Sequence, residues 1–136
     1  MFRTIVAAGV VLTAPGLAAA SPCDRDSNQF ELTACAAREA SQSKDELDGI
    51  LDQLKHRPDF SAADRDRLEK TQRAWQVFRD RECEYRTRGG IRQTGSITPM
   101  LVRQCESALT RLRIEMLRGE LECPSFNLSC KRAVKR

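Results

Sequence analysis

Histidine and the aromatic residues are scarce in this 136-residue chain, which holds one histidine, one tryptophan, one tyrosine and five phenylalanines. The single histidine, His56, has no nucleophile placed for it, so no catalytic triad is indicated. The chain also lacks a Cys-x-x-Cys motif and a glycine-rich phosphate loop, which argues against a zinc site and a nucleotide cofactor. No stretch combines dense Lys and Arg with aromatic residues for stacking on bases. We therefore expect no catalytic residues, no metal, no cofactor and no nucleic-acid partner.

A hydrophobic run long enough to cross a bilayer is absent as well. The apolar segment from Ile5 to Leu12 follows Arg3 and precedes the small residues Ala18 to Ala20. These are the three parts of a secretory signal peptide, so we expect residues 1–20 to be removed. Because a proline stands directly before Cys23, lipid modification of that cysteine is not expected, and no membrane anchor is predicted.

The predicted mature chain, residues 21–136, is long enough for one modest domain. Loss of Arg3 lowers its formal charge from +4 to +3, which is only mildly basic. We divide it into a helical domain, residues 21–121, and a cysteine-containing basic tail, residues 122–136. Such a protein is expected in the periplasm or outside the cell, and its oligomeric state stays open.

Six cysteines lie in the predicted mature chain, and an even number in a short exported protein is typical of a disulfide framework. Six cysteines allow many pairings, among which the sequence does not choose. We predict that neighbours along the chain pair, as Cys23–Cys35, Cys83–Cys105 and Cys123–Cys130.

Three segments have apolar residues at helical spacing. The first runs from Leu32 to Leu54 before Pro58 ends it. The second begins at Ser61, which forms a capping box with Asp64. The third begins at Thr98-Pro99, and no long segment alternates with period two. The predicted fold is all-α, a three-helix and largely antiparallel bundle with disulfides and a short irregular C-terminal tail.

Each predicted helix has an inner face defined by its apolar or small residues. In the first helix these are Leu32, Cys35, Ala36, Ala40, Leu47, Ile50, Leu51 and Leu54. In the second they are Leu68, Trp75, Phe78 and Tyr85. In the third they are Leu101, Cys105, Ala108, Leu109, Leu112, Met116 and Leu117.

Polar residues form two further helical stripes. Asp45, Asp48 and Asp52 share a face opposite the apolar one, and we expect them to face water rather than to act as a glycosidase pair. On the second helix the stripe consists of Gln72, Trp75, Arg79 and Cys83. There we expect Trp75 to anchor the core, an arginine to stack on it, and the polar side chains to bond neighbouring helices.

These elements together resemble the LprI-like lysozyme inhibitor family of small envelope proteins, from about Cys23 to Leu121. The matching residues are Leu32, Cys35, Asp45-Glu46-Leu47-Asp48, Gln72, Trp75, Arg79, Cys83, Cys105, Leu109-Thr110 and Arg113. Asp48 departs from the usual asparagine, Ile50-Leu51 stand where a tyrosine is common, and Cys123 and Cys130 lie outside the pattern. The resemblance implies inhibition of a lysozyme or related hydrolase. The signature residues Leu32, Gln72, Trp75, Arg79, Thr110 and Arg113 look architectural.

The loop after the second helix holds the first candidates for binding such a hydrolase. A Cys83–Cys105 bridge would tether this loop, and Arg86, Arg88 or Arg92 could reach the catalytic carboxylates of a lysozyme. A second possibility is that the three aspartates meet a cationic lysozyme surface, although a net charge of +3 opposes that encounter. The loop could equally be a solvated connection, and the chain a structural or interaction module of the envelope without inhibitory activity.

We expect reduction of the mature chain to lower its melting temperature clearly. Each bridge should contribute about 2–4 kcal/mol, mainly by restricting the unfolded chain. Thermal unfolding with and without reductant measures this, and identical melting curves would mean that the bridges are absent or unimportant.

Overall fold

The structure, a computed structural model, describes residues 28–90 and 95–122. This part of the chain consists of three helices, α1 (Gln29–Lys55), α2 (Ala62–Arg86) and α3 (Thr98–Glu122), and contains no strand. The predicted all-α bundle is confirmed. The predicted signal peptide and residues 123–136 of the predicted tail lie outside the described residues, as do Cys23, Arg92, Cys123 and Cys130. Glu122, the first residue of the predicted tail, is the last residue of α3.

Side-chain caps fix where the first two helices begin. Asn28 Oδ1 accepts a hydrogen bond of 3.0 Å from the Glu31 backbone N–H at the start of α1. At the start of α2, the predicted capping box is present. Ser61 Oγ accepts from the Asp64 N–H at 3.1 Å, and Asp64 Oδ2 accepts from the Ser61 N–H at 3.0 Å. The Ser61 hydroxyl and the Arg67 guanidinium hold the pKa of Asp64 at about 2.

The start of α3 differs from the prediction by one residue. Leu101 N–H donates to the Ile97 carbonyl at 3.1 Å, and the helix already includes Thr98. Thr98 therefore occupies the first turn instead of the capping position, and its own N–H donates to the Gly95 carbonyl at 3.3 Å.

The hydrophobic core lies mainly between α1 and α3. Its buried cluster consists of Leu47, Ile50, Leu51, Leu54, Ile114 and Leu117, with Leu68, Trp75 and Leu121 packed against it. The predicted inner face of α1 is largely confirmed, since Cys35, Ala36 and the four core residues of this helix are buried. Leu32 and Ala40 are partly buried.

The predicted inner face of α2 is wrong in its second half. Phe78 is 55% exposed and Tyr85 is 79% exposed, and the only buried residues of α2 are Gln72 and Cys83. The physical reason is that α2 carries two faces of helical periodicity. The covalent link at Cys83 turns the polar stripe, not the Phe78–Tyr85 face, toward the other helices.

The prediction for α3 is wrong in a similar way. Leu101, Leu112 and Met116 are exposed, whereas Val102 and Ile114, which the apolar pattern did not single out, are buried. Apolar residues surround much of this helix, so periodicity alone did not select the side that meets α1. Leu117 is buried as predicted.

The Cys83–Cys105 disulfide is present, with a Cα–Cα distance of 5.7 Å, and joins the last turns of α2 to the first half of α3. Cys35 is disulfide-bonded as well. The pairings Cys23–Cys35 and Cys123–Cys130 involve residues outside the described ones and stay predictions.

Two leucines of α3 provide a matched test of this arrangement. Leu117→Ala should lower the free energy of unfolding by about 2–5 kcal/mol, because Leu117 fills the core. Leu112→Ala should change it by no more than about 0.5 kcal/mol, because that side chain is 63% exposed. Urea unfolding of both variants checks this, and equal losses would contradict the observed rotation of α3.

Candidate functional site

The loop that follows α2 begins with an unusual residue in a helix-terminating turn. Arg88 N–H donates to the Tyr85 carbonyl at 3.1 Å, and Gly89 N–H donates to the Glu84 carbonyl at 2.8 Å. These two bonds define a Schellman motif, in which glycine usually takes the left-handed position. Here Arg88 takes it, with φ 54°, and a non-glycine residue in this region is uncommon.

The loop arginines differ in whether they form an ion pair with another residue of the chain. Arg86 Nε donates to Glu82 Oε1 at 2.7 Å, one turn back on α2. Arg88 is exposed and forms no ion pair with any described residue. Arg92 lies outside the described residues. The disulfide anchors the base of this loop at Cys83 and Cys105, so Arg88 projects from a fixed point.

The three aspartates of the predicted acidic face are exposed on α1, as expected. Lys44 Nζ lies 2.6 Å from Asp48 Oδ2, and this hydrogen bond raises the pKa of Lys44. His56 Nδ1 lies 3.3 Å from Asp52 Oδ1. The acidic face therefore has part of its charge offset by Lys44, at Asp48. It occupies the second half of α1, toward the α1–α2 connection, whereas the arginine loop joins α2 to α3.

A cluster around Trp75 brings together the family-like polar residues of α2 and α3. The guanidinium carbon of Arg79 lies 5.4 Å from the centroid of the Trp75 ring, and that of Arg113 lies 6.0 Å away. Both distances suit a cation–π contact. Arg79 also donates to Asp80 Oδ1 through Nε and Nη2, at 2.9 and 2.7 Å.

Arg113 is the buried cation of this cluster, with 8% of its surface exposed. Its Nε donates to Gln72 Oε1 at 3.4 Å, and burial lowers its pKa below the ordinary value. No carboxylate of the described residues forms an ion pair with it. A guanidinium stays charged in proteins, so an amide oxygen and an aromatic face stabilise this buried charge. Gln72 Nε2 is buried without a hydrogen-bond partner among the described residues.

The remaining signature residues have structural positions. Thr110 is buried, and Leu32 is partly buried on α1. The spacing along the second helix predicted that Gln72, Trp75 and Arg79 share a face. The spacing did not predict that Arg113 of the third helix contacts them, and Arg113 was singled out only by the resemblance to the family.

Within residues 28–90 and 95–122, no three His, Cys, Asp or Glu side chains are grouped so that they could hold a metal ion. In the same part of the chain, none of the helices has the length and apolar character needed to cross a membrane.

Residues 20–117 match the model of the family described as Lysozyme inhibitor LprI. This match covers most of the chain. No curated protein and no solved structure matches the chain significantly.

Two glutamines of α2 test the role of the buried polar cluster. Gln72→Ala should lower the free energy of unfolding by about 1–3 kcal/mol, because Arg113 loses its hydrogen-bond acceptor. Gln76→Ala, one turn away and exposed, should change it by no more than about 0.5 kcal/mol. Chemical denaturation measures both, and equal effects would show that the Arg113–Gln72 contact adds nothing.

Proposed function

The chain belongs to the LprI lysozyme inhibitor family, and from this membership we propose that it blocks a lysozyme or related peptidoglycan hydrolase by direct binding. Proteins of this family are inhibitors rather than enzymes. Family membership and the disulfide indicate export from the reducing cytoplasm. In this proposal residues 1–20 are a signal peptide that is removed, and the mature chain acts in the periplasm or outside the cell.

The observation that carries the proposed mechanism is the exposed Arg88 on a loop whose base is fixed by Cys83–Cys105. A lysozyme cleft presents two catalytic carboxylates. A guanidinium forms short, charge-assisted and often bidentate hydrogen bonds to a carboxylate. Because the loop is anchored at its base, less of its conformational entropy is lost on insertion than for a free segment.

The backbone conformation of Arg88 supports a functional role for its side chain, because glycine would usually occupy this position. The left-handed conformation costs an L-residue roughly 1–2 kcal/mol, and glycine avoids that cost. Arg88 occupies such a position although glycines follow it directly. Strained residues of this kind are held in place by the surrounding structure and cluster at functional sites.

Asp45, Asp48 and Asp52 have a secondary role in the proposal. They would contact a basic rim of the target after encounter. The charge of Asp48 is partly offset by Lys44, and the predicted mature chain carries +3. Long-range attraction to a cationic lysozyme is therefore not expected, and the loop supplies the binding energy.

The alternative function is a structural or interaction module of the envelope without inhibitory activity. It is favoured by the large apolar side chains that α2 and α3 expose. These are Val77, Phe78, Tyr85, Leu101, Leu112 and Met116. Scattered exposed apolar residues are normal, whereas neighbouring ones mark interaction surfaces. Phe78 and Tyr85 lie seven residues apart on α2 and therefore share one of its exposed faces.

A titration of oxidised residues 21–136 against several lysozymes separates the two functions. Lysis of cell-wall substrate and direct binding by calorimetry are followed together. Saturable inhibition near one equivalent supports the proposed function. Binding without inhibition favours the alternative, and the absence of both across the panel overturns the inhibitor proposal.

Substitution at Arg88 tests the loop mechanism separately from stability. Arg88→Gly should keep or raise the melting temperature, because glycine accepts the backbone conformation. It should weaken inhibition by about tenfold or more, because a charge-assisted hydrogen bond is lost.

Arg73→Ala, on the exposed side of α2, provides the matched loss of charge and should leave inhibition unchanged. The double change Arg88→Ala and Arg92→Ala tests the loop as a whole. Undiminished inhibition by Arg88→Gly and by the double variant would exclude loop insertion and leave surface occlusion as the mechanism.

A further inference from the structure

A cleft at the other end of the bundle from the arginine loop has the features of a small binding site. It measures about 350 Å³ and lies between the α1–α2 connection, α2 and the second half of α3. Its apolar walls include Leu54, Phe60, Leu68 and Leu117. The polar groups of its lining come from Arg57, Asp64, Arg67, Thr71, Arg113 and Glu120. Ligand sites combine apolar walls with a few convergent polar groups in this way.

Arg113 is the distinctive group of this cleft. It is 8% exposed, and its single hydrogen bond to a described residue runs from Nε to Gln72. Neither Nη nitrogen has a hydrogen-bond partner among the described residues, although these two nitrogens form the fork that matches a carboxylate. Burying a charge without a counter-charge is costly, so a carboxylate that reached this fork would be bound strongly.

The other cations that line the cleft are already paired. Arg57 Nη2 lies 2.5 Å from Asp59 Oδ2, and Arg67 Nη2 lies 2.5 Å from Asp64 Oδ1. Asp64 is also held by the Ser61 hydroxyl. The charge of Arg113 is therefore the one in this cleft that no described carboxylate offsets.

Few carboxylates of the chain remain to fill this role. Outside the described residues the sequence contains two acidic side chains, Asp24 and Asp26. A ligand that brings its own carboxylate is the simplest source of the missing charge.

We propose that this cleft binds a monocarboxylate with an apolar body. The carboxylate accepts hydrogen bonds from the Nη nitrogens of Arg113, and the apolar body packs against Leu54, Leu68 and Leu117. A free carboxylic acid and the C-terminal carboxylate of a peptide share this chemistry. The site is independent of the proposed inhibition, since Arg88 lies on the loop at the other end of the bundle.

Trp75 allows a direct measurement, because it is the only tryptophan of the chain and lies beside Arg113. The oxidised mature protein is titrated with hexanoate and, in a second arm, with N-acetyl-leucine, while Trp75 fluorescence and the melting temperature are followed. Hexanamide and N-acetyl-leucinamide are the uncharged controls. We expect a saturable change with an acid and none with the matching amide.

The two arms distinguish the source of the carboxylate. Tighter binding of hexanoate identifies a free acid, and tighter binding of N-acetyl-leucine identifies a peptide terminus. If neither acid binds, or if the amides bind as tightly as the acids, the proposal is overturned.

Variants locate the binding in the cleft. Arg113→Met should weaken hexanoate binding by about tenfold or more, because the charged donor is lost while the volume is kept. Arg111→Met is the matched control on the same helix, with a side chain 61% exposed, and should bind normally. An equal loss in both variants would show a nonspecific charge effect.

Thr71→Glu covers the case in which Arg113→Met does not fold. It places a tethered carboxylate in the cleft, so it should abolish hexanoate binding and raise the melting temperature. Normal hexanoate binding by this variant would contradict the site. Arg88→Gly should bind hexanoate as the unchanged protein does, so that failure of the inhibition mechanism and failure of this site are separate results.

Discussion

The Cys83–Cys105 disulfide is the constraint on which the position of α2 depends. Helices α1 and α3 share an apolar core, whereas α2 fully buries only Gln72 and Cys83 and adds Leu68 and Trp75 at the edge of that core. So little apolar burial holds a helix weakly in water. A bridge spanning 22 residues contributes roughly 3 kcal/mol in the chain-entropy account, which is comparable to burying one or two large side chains. The same bond fixes the base of the arginine loop, so structure and proposed activity share a requirement for an oxidising compartment.

The sequence predicted α1 well because this helix has one apolar stripe and therefore one way to face a core. Leu47, Ile50 and Leu54 are buried as their spacing predicts. The predicted inner face was wrong for the second half of α2 and for part of α3, because each of these helices has more than one face of helical periodicity. Phe78 and Leu112 fit such a face but are exposed, since the rotation of each helix is set by contacts between helices and not by its own pattern.

For the candidate sites, too, the sequence indicated features that depend on local pattern and missed those that depend on contacts between helices. The sequence located the arginine loop, because Gly89 and Gly90 mark its start and Cys83 and Cys105 its base. It did not indicate the left-handed backbone of Arg88, where glycine would have been expected. Nor did it indicate that Arg113 faces a cleft beside Trp75, because that contact joins residues far apart in the chain.

The buried polar cluster of Gln72, Trp75 and Arg113 has a physical role beyond its modest contribution to the free energy of unfolding. Replacing buried charges by apolar residues often leaves stability unchanged or improves it, so Arg113 and Gln72 are not explained by stability alone. Apolar contact is non-directional, and the exposed faces at Phe78 and Leu112 could support other rotations of α2 against α3. The hydrogen bond from Arg113 Nε to Gln72 and the stacking on Trp75 are directional and fit one rotation. In that rotation Nε is used within the protein, and the two Nη nitrogens are left for the cleft.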